Sequence, residues 1–179
     1  RSWYITLKDF LVKNTHAICC TCDPAIFSWH KNNELIGILC CHVDDIIFGG
    51  TTEFLNQVII PLKNKFAISS QSQTAFKYIG LNIEQGQHVI TLDQNDYIGS
   101  LKKIEVSRKR RENKECPLND REIDDIRSAL GQLGWISSNT RPDLAFDICY
   151  ITGRLTNPTI KELIMTNKTI IKAQSETVK

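Results

Sequence analysis

Asp44 and Asp45 interrupt an apolar stretch. Ile38-Leu39-Cys40-Cys41-His42-Val43 precedes the pair, Ile46-Ile47-Phe48 follows it, and Gly49-Gly50 closes the run. Such residues favour strand and the two acids favour a turn. The segment therefore reads as strand, tight turn, strand, with both carboxylates at the tip. Apolar residues at consecutive positions on either side predict that both faces of this hairpin are buried, unlike the alternation of a half-wet one. Asp is a common turn residue, so solvation alone accounts for one of the acids. Two adjacent like charges repel, however, and a divalent cation reverses that balance, because hard oxygen donors suit Mg²⁺. Asp44 and Asp45 are therefore candidate catalytic and metal-binding residues.

Apolar periodicity places the other elements. Trp3, Leu7, Phe10 and Leu11 fall on one helical face, which predicts a helix over 3–13. Strands are expected over 25–29 and 35–43, split by Lys31-Asn32-Asn33. Thr51 or Thr52 caps a helix carrying Leu55, Val58, Ile59, Leu62 and Phe66, with Pro61 kinking it. Residues 76–84 and 88–92 read as a hairpin about Gln85-Gly86-Gln87. From Asp93 the pattern turns helical. Helices are expected over 94–104, through Ile123, Ile126, Leu130 and Leu133, through Leu144, Ile148, Ile151 and Leu155, and through Ile160, Leu163, Ile164 and Ile171. Residues 105–119 are charged, lack a period and read as a loop. The order predicts an α+β layer with an antiparallel sheet, then an all-helical part, with a boundary near residue 93.

The 179 residues carry a net charge of only +2, so overall charge announces no nucleic-acid partner. Local charge does. Residues 102–115 hold seven Lys or Arg against three Glu, including Arg108, Lys109, Arg110 and Arg111. That run has three readings: a nucleic-acid contact, a nuclear-import signal or a solvated loop. No apolar run approaches a membrane span, and no signal peptide is visible. With seven cysteines, an odd number, an intracellular protein with reduced thiols is expected, cytoplasmic or nuclear and without a membrane partner. Cys19 and Cys22 followed by Cys40, Cys41 and His42 invite a zinc reading. The second half lacks the paired spacing, and small buried hydrophobes are the favoured role. The first Met is Met165 and the chain opens inside an amphipathic pattern, so it reads as a fragment of something longer.

His42-Val43-Asp44-Asp45 resembles the polymerase motif of reverse transcriptases. More of the chain is similar to the copia-type LTR retrotransposon enzymes of that family. Arg1-Ser2-Trp3-Tyr4 with Leu7, and Asp23-Pro24 with Phe27, resemble segments before the motif. Phe76-Lys77-Tyr78-Ile79-Gly80-Leu81-Asn82-Ile83 resembles the primer-grip hairpin. Ile90 to Ile98, Arg127-Ser128 with Gly131 and Leu133, and Thr140-Arg141-Pro142-Asp143-Leu144-Ala145-Phe146 resemble the thumb. His42 stands where many relatives have Tyr.

The resemblance implies the C-terminal half of a polymerase palm over 1–92, a thumb-like helical region over 93–155 and the start of a connection segment over 156–179. It implies an RNA-directed DNA polymerase with a two-metal Mg²⁺ site in which Asp44 is the direct ligand and Asp45 the outer one. Tyr78, Ile79, Gly80 and Leu81 would form the primer grip. Arg108, Lys109, Arg110 and Arg111 are the candidate nucleic-acid contacts. The implied partners are an RNA/DNA template-primer and the rest of the Pol polyprotein: upstream fingers and palm with the first catalytic Asp, and a downstream RNase H. As an isolated fragment such a chain is expected to be inactive. The alternative is a non-catalytic nucleic-acid-binding or interaction module derived from such an element.

Overall fold

Leu7 and Leu11 are four residues apart and so share one helical face. Both are fully buried on α1, Ser2–Thr15. The computed structural model describes residues 2–68 and 70–175. Arg1 of the opening motif and the last four residues of the expected connection segment lie outside them. The chain forms two compact units, Arg1–Ile79 and Gly80–Lys179.

In the first unit, β1 (Ile18–Cys19), β2 (Ile26–Lys31), β3 (Glu34–His42) and β4 (Asp45–Gly50) form an antiparallel sheet in chain order. Asn32 and Asn33 join β2 to β3 with φ of 51° and 65°. Asn tolerates this left-handed region, and two such residues make a turn whose twist suits a hairpin. Phe27 and Trp29 of β2 and Leu39 and Cys41 of β3 are buried together with Leu7 and Leu11 of α1. Trp29 Nε1 donates to the Thr15 carbonyl at 2.9 Å, tying the end of α1 to the sheet.

The expectation of two buried faces is corrected here. Burial alternates along β3, and Ile38, between Gly37 and Leu39, is 44% exposed. The reason is that α1 and the helical segment after β4 share one core with the face that carries Leu39 and Cys41.

Thr51 caps that helical segment, its hydroxyl accepting from Phe54 N–H at 3.3 Å. The segment runs as α2 (Thr52–Phe54), a π-helical turn (Leu55–Ile59) and α3 (Ile60–Lys65). Pro61 sits at the start of α3. Its missing N–H and its ring disfavour a regular ladder, and the wide turn before it absorbs the misfit. Phe54 is fully buried, with its ring 5.0 Å from Trp29 and 6.3 Å from Phe48. It lies over Gly37 and Gly50, which face each other across β3 and β4. A Cβ on either glycine would overlap the Phe54 ring.

β5 (Ala75–Tyr78), β6 (Leu81–Gln85) and β7 (Ile90–Asp93) follow in a second sheet in that order. The expected single strand over 76–84 is broken. Ile79 and Gly80 both have positive φ, 48° and 74°, which turns the chain between β5 and β6. The expected hairpin is confined to β6 and β7, paired from Asn82↔Asp93 to Gln85↔Ile90.

In the second unit the expected helix over 94–104 stops early, as α4 (Asn95–Ser100). Residues 101–107 are neither helix nor strand. Asn167 binds both Ile104 N–H at 2.8 Å and Ile104 C=O at 2.9 Å, as a neighbouring strand would. α5 (Arg108–Glu112) lies within the expected loop, and α6 (Asp120–Asn139) follows. The expected third helix begins as a 3-10 turn (Pro142–Leu144) and ends, as α7 (Ala145–Thr152), before Leu155. α8 (Ile160–Ser175) completes the core with Leu163 and Ile170 against Leu130, Leu133 and Ile151. The fold is α+β: two small antiparallel sheets with helices, ending in a helical segment. Among the described residues no helix is long and apolar enough to cross a membrane.

Two outcomes follow from the packing. Gly37→Ala drives a Cβ into the buried Phe54 ring, and overpacking costs about 1–3 kcal/mol. Urea unfolding should show that loss, while Gly49→Ala, which meets nothing within 4 Å, should cost less. The second outcome concerns Glu162. Burial opposes its ionisation, but the Thr159 hydroxyl at 2.6 Å and the Thr159 N–H at 2.9 Å outweigh that and hold its carboxyl below the usual range. A depressed carboxyl contributes stability above its unfolded pKa, about 4.3 for Glu. That stability disappears as pH falls through the lower folded value. Acid unfolding of Glu162→Gln should therefore depend less steeply on pH than that of the wild type.

Candidate functional site

β3 and β4 pair from Gly37↔Gly50 to His42↔Asp45, which leaves Val43 and Asp44 as the whole turn. Two-residue turns with positive φ at the first position normally use Gly there. Val43 holds it instead, at φ 56°. A β-branched residue in this region is a true outlier, and such strain gathers at functional sites. Val43 is 75% exposed, so burial does not offset the strain. The Cys41 thiol braces the turn by donating to the Val43 carbonyl at 3.6 Å. Burial, then the charges of Cys40 and Asp44, push that thiol up from its ordinary value, so it stays a donor.

Asp44 and Asp45 are both exposed. No ion pair engages either among the described residues. Asp45 opens β4 opposite His42, two residues before Ile47, whose partner is Cys40. It therefore shares with Cys40 and His42 the sheet face opposite Leu39 and Cys41. Tyr78 reaches the same face, donating its hydroxyl to Cys40 Sγ at 3.8 Å. Burial, then the bond to Cys40, push the Tyr78 hydroxyl well above its usual range, and the Asp45 charge adds to this. Two unpaired carboxylates at an exposed tip are the hard donors Mg²⁺ prefers. Among the described residues no group of three or more His, Cys, Asp or Glu is arranged to hold a metal.

The other sequence-derived candidates are distributed as follows. Tyr78 ends β5, Ile79 and Gly80 form the turn, and Leu81 begins β6. Of the basic run, Arg108, Lys109 and Arg111 are exposed on α5. Arg110 is engaged in a structural clamp. Its Nε donates to Glu122 Oε1 at 2.9 Å, and its Nη2 donates to Glu122 Oε2 at 2.6 Å and to the Pro117 carbonyl at 2.9 Å. Glu122 also accepts from Asn119 N–H at 3.0 Å, closing the capping box of α6.

Sequence reasoning missed this clamp and a second one. The Arg141 guanidinium grips Asp143 at 2.8 and 2.9 Å and donates to the Ala173 carbonyl at 2.9 Å near the end of α8. That bond with Arg141 holds the Asp143 carboxyl below its usual range. The Asn119-Asp120-Arg121-Glu122 spacing is a recognisable cap signal. Nothing in the sequence marks Arg110 as its partner.

All seven cysteines are free. Cys41 is buried, but Cys22 and Cys149 are exposed, so the role of buried small hydrophobe does not extend to those two.

Val43→Asn should relieve the turn. Left-handed backbone costs a residue of this kind about 1–2 kcal/mol, and Asn tolerates it. Denaturant unfolding should show a gain of about 1 kcal/mol, with the hairpin pairing retained in amide exchange. Comparison with protein-family models, with curated proteins and with solved structures returns no match for this chain.

Proposed function

We propose that the chain is part of an RNA-directed DNA polymerase of the copia retrotransposon type, with the β3–β4 tip as its metal-binding element. The observation that carries this reading is the two-residue Val43-Asp44 turn. It presents Asp44 and Asp45 side by side, exposed, with no ion pair to either among the described residues. In that reading residues 1–92 belong to a palm and residues 93–155 to a thumb, followed by the start of a connection segment.

The roles divide by position. Asp44, in the turn itself, is the direct ligand. Asp45, on the first residue of β4, is the outer ligand and faces the side where Tyr78 lies. When bound, a pair of Mg²⁺ ions about 3.5–4 Å apart supplies charge neutralisation at the attacking and leaving oxygens. The chain itself contributes the register that fixes the two acids and the Cys41 thiol that braces the turn. Arg108, Lys109 and Arg111 of α5 are cations that a template-primer backbone can engage. Arg110 spends its guanidinium on Glu122.

The non-catalytic alternative keeps the nucleic-acid contacts and drops the chemistry. It is favoured by the lack of a third converging acid among the described residues.

Primer extension on an RNA template separates the two. The chain alone should not extend a primer. Joined to an upstream segment of a copia-type relative that supplies the first catalytic Asp and the fingers, it should synthesise DNA in a Mg²⁺-dependent way. Asp44→Ala should abolish that synthesis and Asp45→Ala should reduce it less. Synthesis indifferent to Asp44→Ala would overturn the site, and robust synthesis by the isolated chain would overturn the division of the palm.

A further inference from the structure

Phe146, Tyr150 and Arg154 follow one another at intervals of four residues, which puts them on one face of α7 and the turn that ends it. Tyr150 is half-buried and packs against the helical core, which fixes its position. The Phe146 ring, from one turn earlier, stacks with it at 6.0 Å between centroids and 29° between planes. The Arg154 guanidinium, from one turn later, lies 3.5 Å from the centroid of the Tyr150 ring, and its Nη1 donates to the Tyr150 carbonyl at 3.0 Å. Ring, ring and cation form a ladder. Phe146 ends it and is 75% exposed, so core packing does not account for this side chain.

A row of lysines borders the ladder. Lys172, in the last turn of α8, meets Asp147 Oδ2 at 3.4 Å, and Asp147 follows Phe146 in the first turn of α7. Arg141, just before α7, bonds the Ala173 carbonyl, so α8 runs back along α7. Lys168 and Lys161 precede Lys172 by about one and three helical turns, which places them on the same face, and both are exposed. The acids of these two helices are already engaged. Asp147 pairs with Lys172, and Glu162 accepts from the backbone of Thr159. No carboxylate pairs with Arg154 among the described residues. The face is therefore cationic as well as aromatic.

We propose that this α7–α8 face binds single-stranded nucleic acid, with an unpaired base stacked on the exposed Phe146 ring and the phosphates held by Arg154, Lys168 and Lys161. The proposal rests on the nucleic-acid reading of the chain and not on its metal-binding tip. Every base has a π-face that an aromatic side chain can stack, and every nucleotide carries the negative charge that the cations match. A guanidinium stacked on a ring keeps N–H groups at its edge for a phosphate oxygen. Two other occupants fit less well. A duplex hides its base faces within its own stack. A protein partner is disfavoured by the lysines, because the buried centres of protein interfaces are depleted in Lys.

The ladder is in place before a ligand arrives. Tyr150 is held by the core, and Arg154 by the ring and by the Tyr150 carbonyl. Little side-chain freedom remains to be lost at these two residues on binding. A base at Phe146 therefore extends an existing stack.

The test measures binding of the whole chain to a short fluorescein-labelled oligothymidylate, and to a blunt duplex of the same length, by anisotropy at low salt. The single strand should bind more tightly than the duplex. Phe146→Leu keeps apolar bulk but removes the ring, and should weaken single-strand binding about tenfold. Phe146→Trp should retain it. Lys161→Gln combined with Lys168→Gln should lower the salt slope by about 1.4. An iodouracil base in the strand should photocross-link at Phe146. Single-strand binding that Phe146→Leu leaves unchanged, equal affinity for the duplex, or cross-links confined to other residues would overturn the proposal and leave the nucleic-acid reading standing. Binding to neither form would overturn both.

Discussion

The register of the β3–β4 hairpin is the constraint from which the acidic tip follows. At its open end Gly37 faces Gly50, and the two leave a notch that the buried Phe54 ring fills. At its closed end His42 faces Asp45, so only Val43 and Asp44 remain for the turn. A slip of one residue would put a side chain under Phe54 and exchange the buried and exposed faces of the strand. It would also move Asp44 out of the turn. Core packing on one side of the sheet thus sets where two charges stand some six residues away, and it does so against the local preference of Val43. The strain is held by β-ladder pairing behind it and by the Cys41 thiol beneath it.

Charged side chains do different work in the second unit. Glu122 and Glu162 are almost fully buried, yet each returns to the backbone N–H at the start of its own helix. Arg110 completes the first of these ends, and Arg141 acts at the opposite end of α8. One neutralises Glu122, and the other joins Asp143 to the carbonyl end of α8, where the helix dipole favours a cation. Such groups resist removal because a buried charge that loses its partner is costly. The basic run therefore splits by function: Arg110 belongs to the fold, while Arg108, Lys109 and Arg111 remain at the surface.

Much of this was legible where a period was long or a turn residue was forced. The faces of α1, α6 and α8 follow their leucines and isoleucines, and Asn32-Asn33 marks its turn by chemistry. The Asp pair at a hairpin tip was legible for the same reason. Other features depend on tertiary context. β1 is two residues long and has no period to read. Ile79 adopts a left-handed conformation that its side chain disfavours, so Tyr78-Ile79-Gly80 looked like strand. Residues 101–104 fall within the expected helix, but the chain leaves the helix after Ser100 and the Asn167 amide takes both the N–H and the C=O of Ile104. The exposure of Ile38 reflects which side the helices cover, a choice its own neighbours in sequence do not encode.

The central claim is that the β3–β4 tip takes a divalent cation through Asp44 and Asp45. Paramagnetic broadening of backbone amides by Mn²⁺ tests it on the chain as it stands. The account predicts broadening centred on His42 to Ile46, displaced by excess Mg²⁺ and lost in Asp44→Ala. Broadening spread over the other surface carboxylates, or centred at the tip but unchanged in Asp44→Ala, would contradict it.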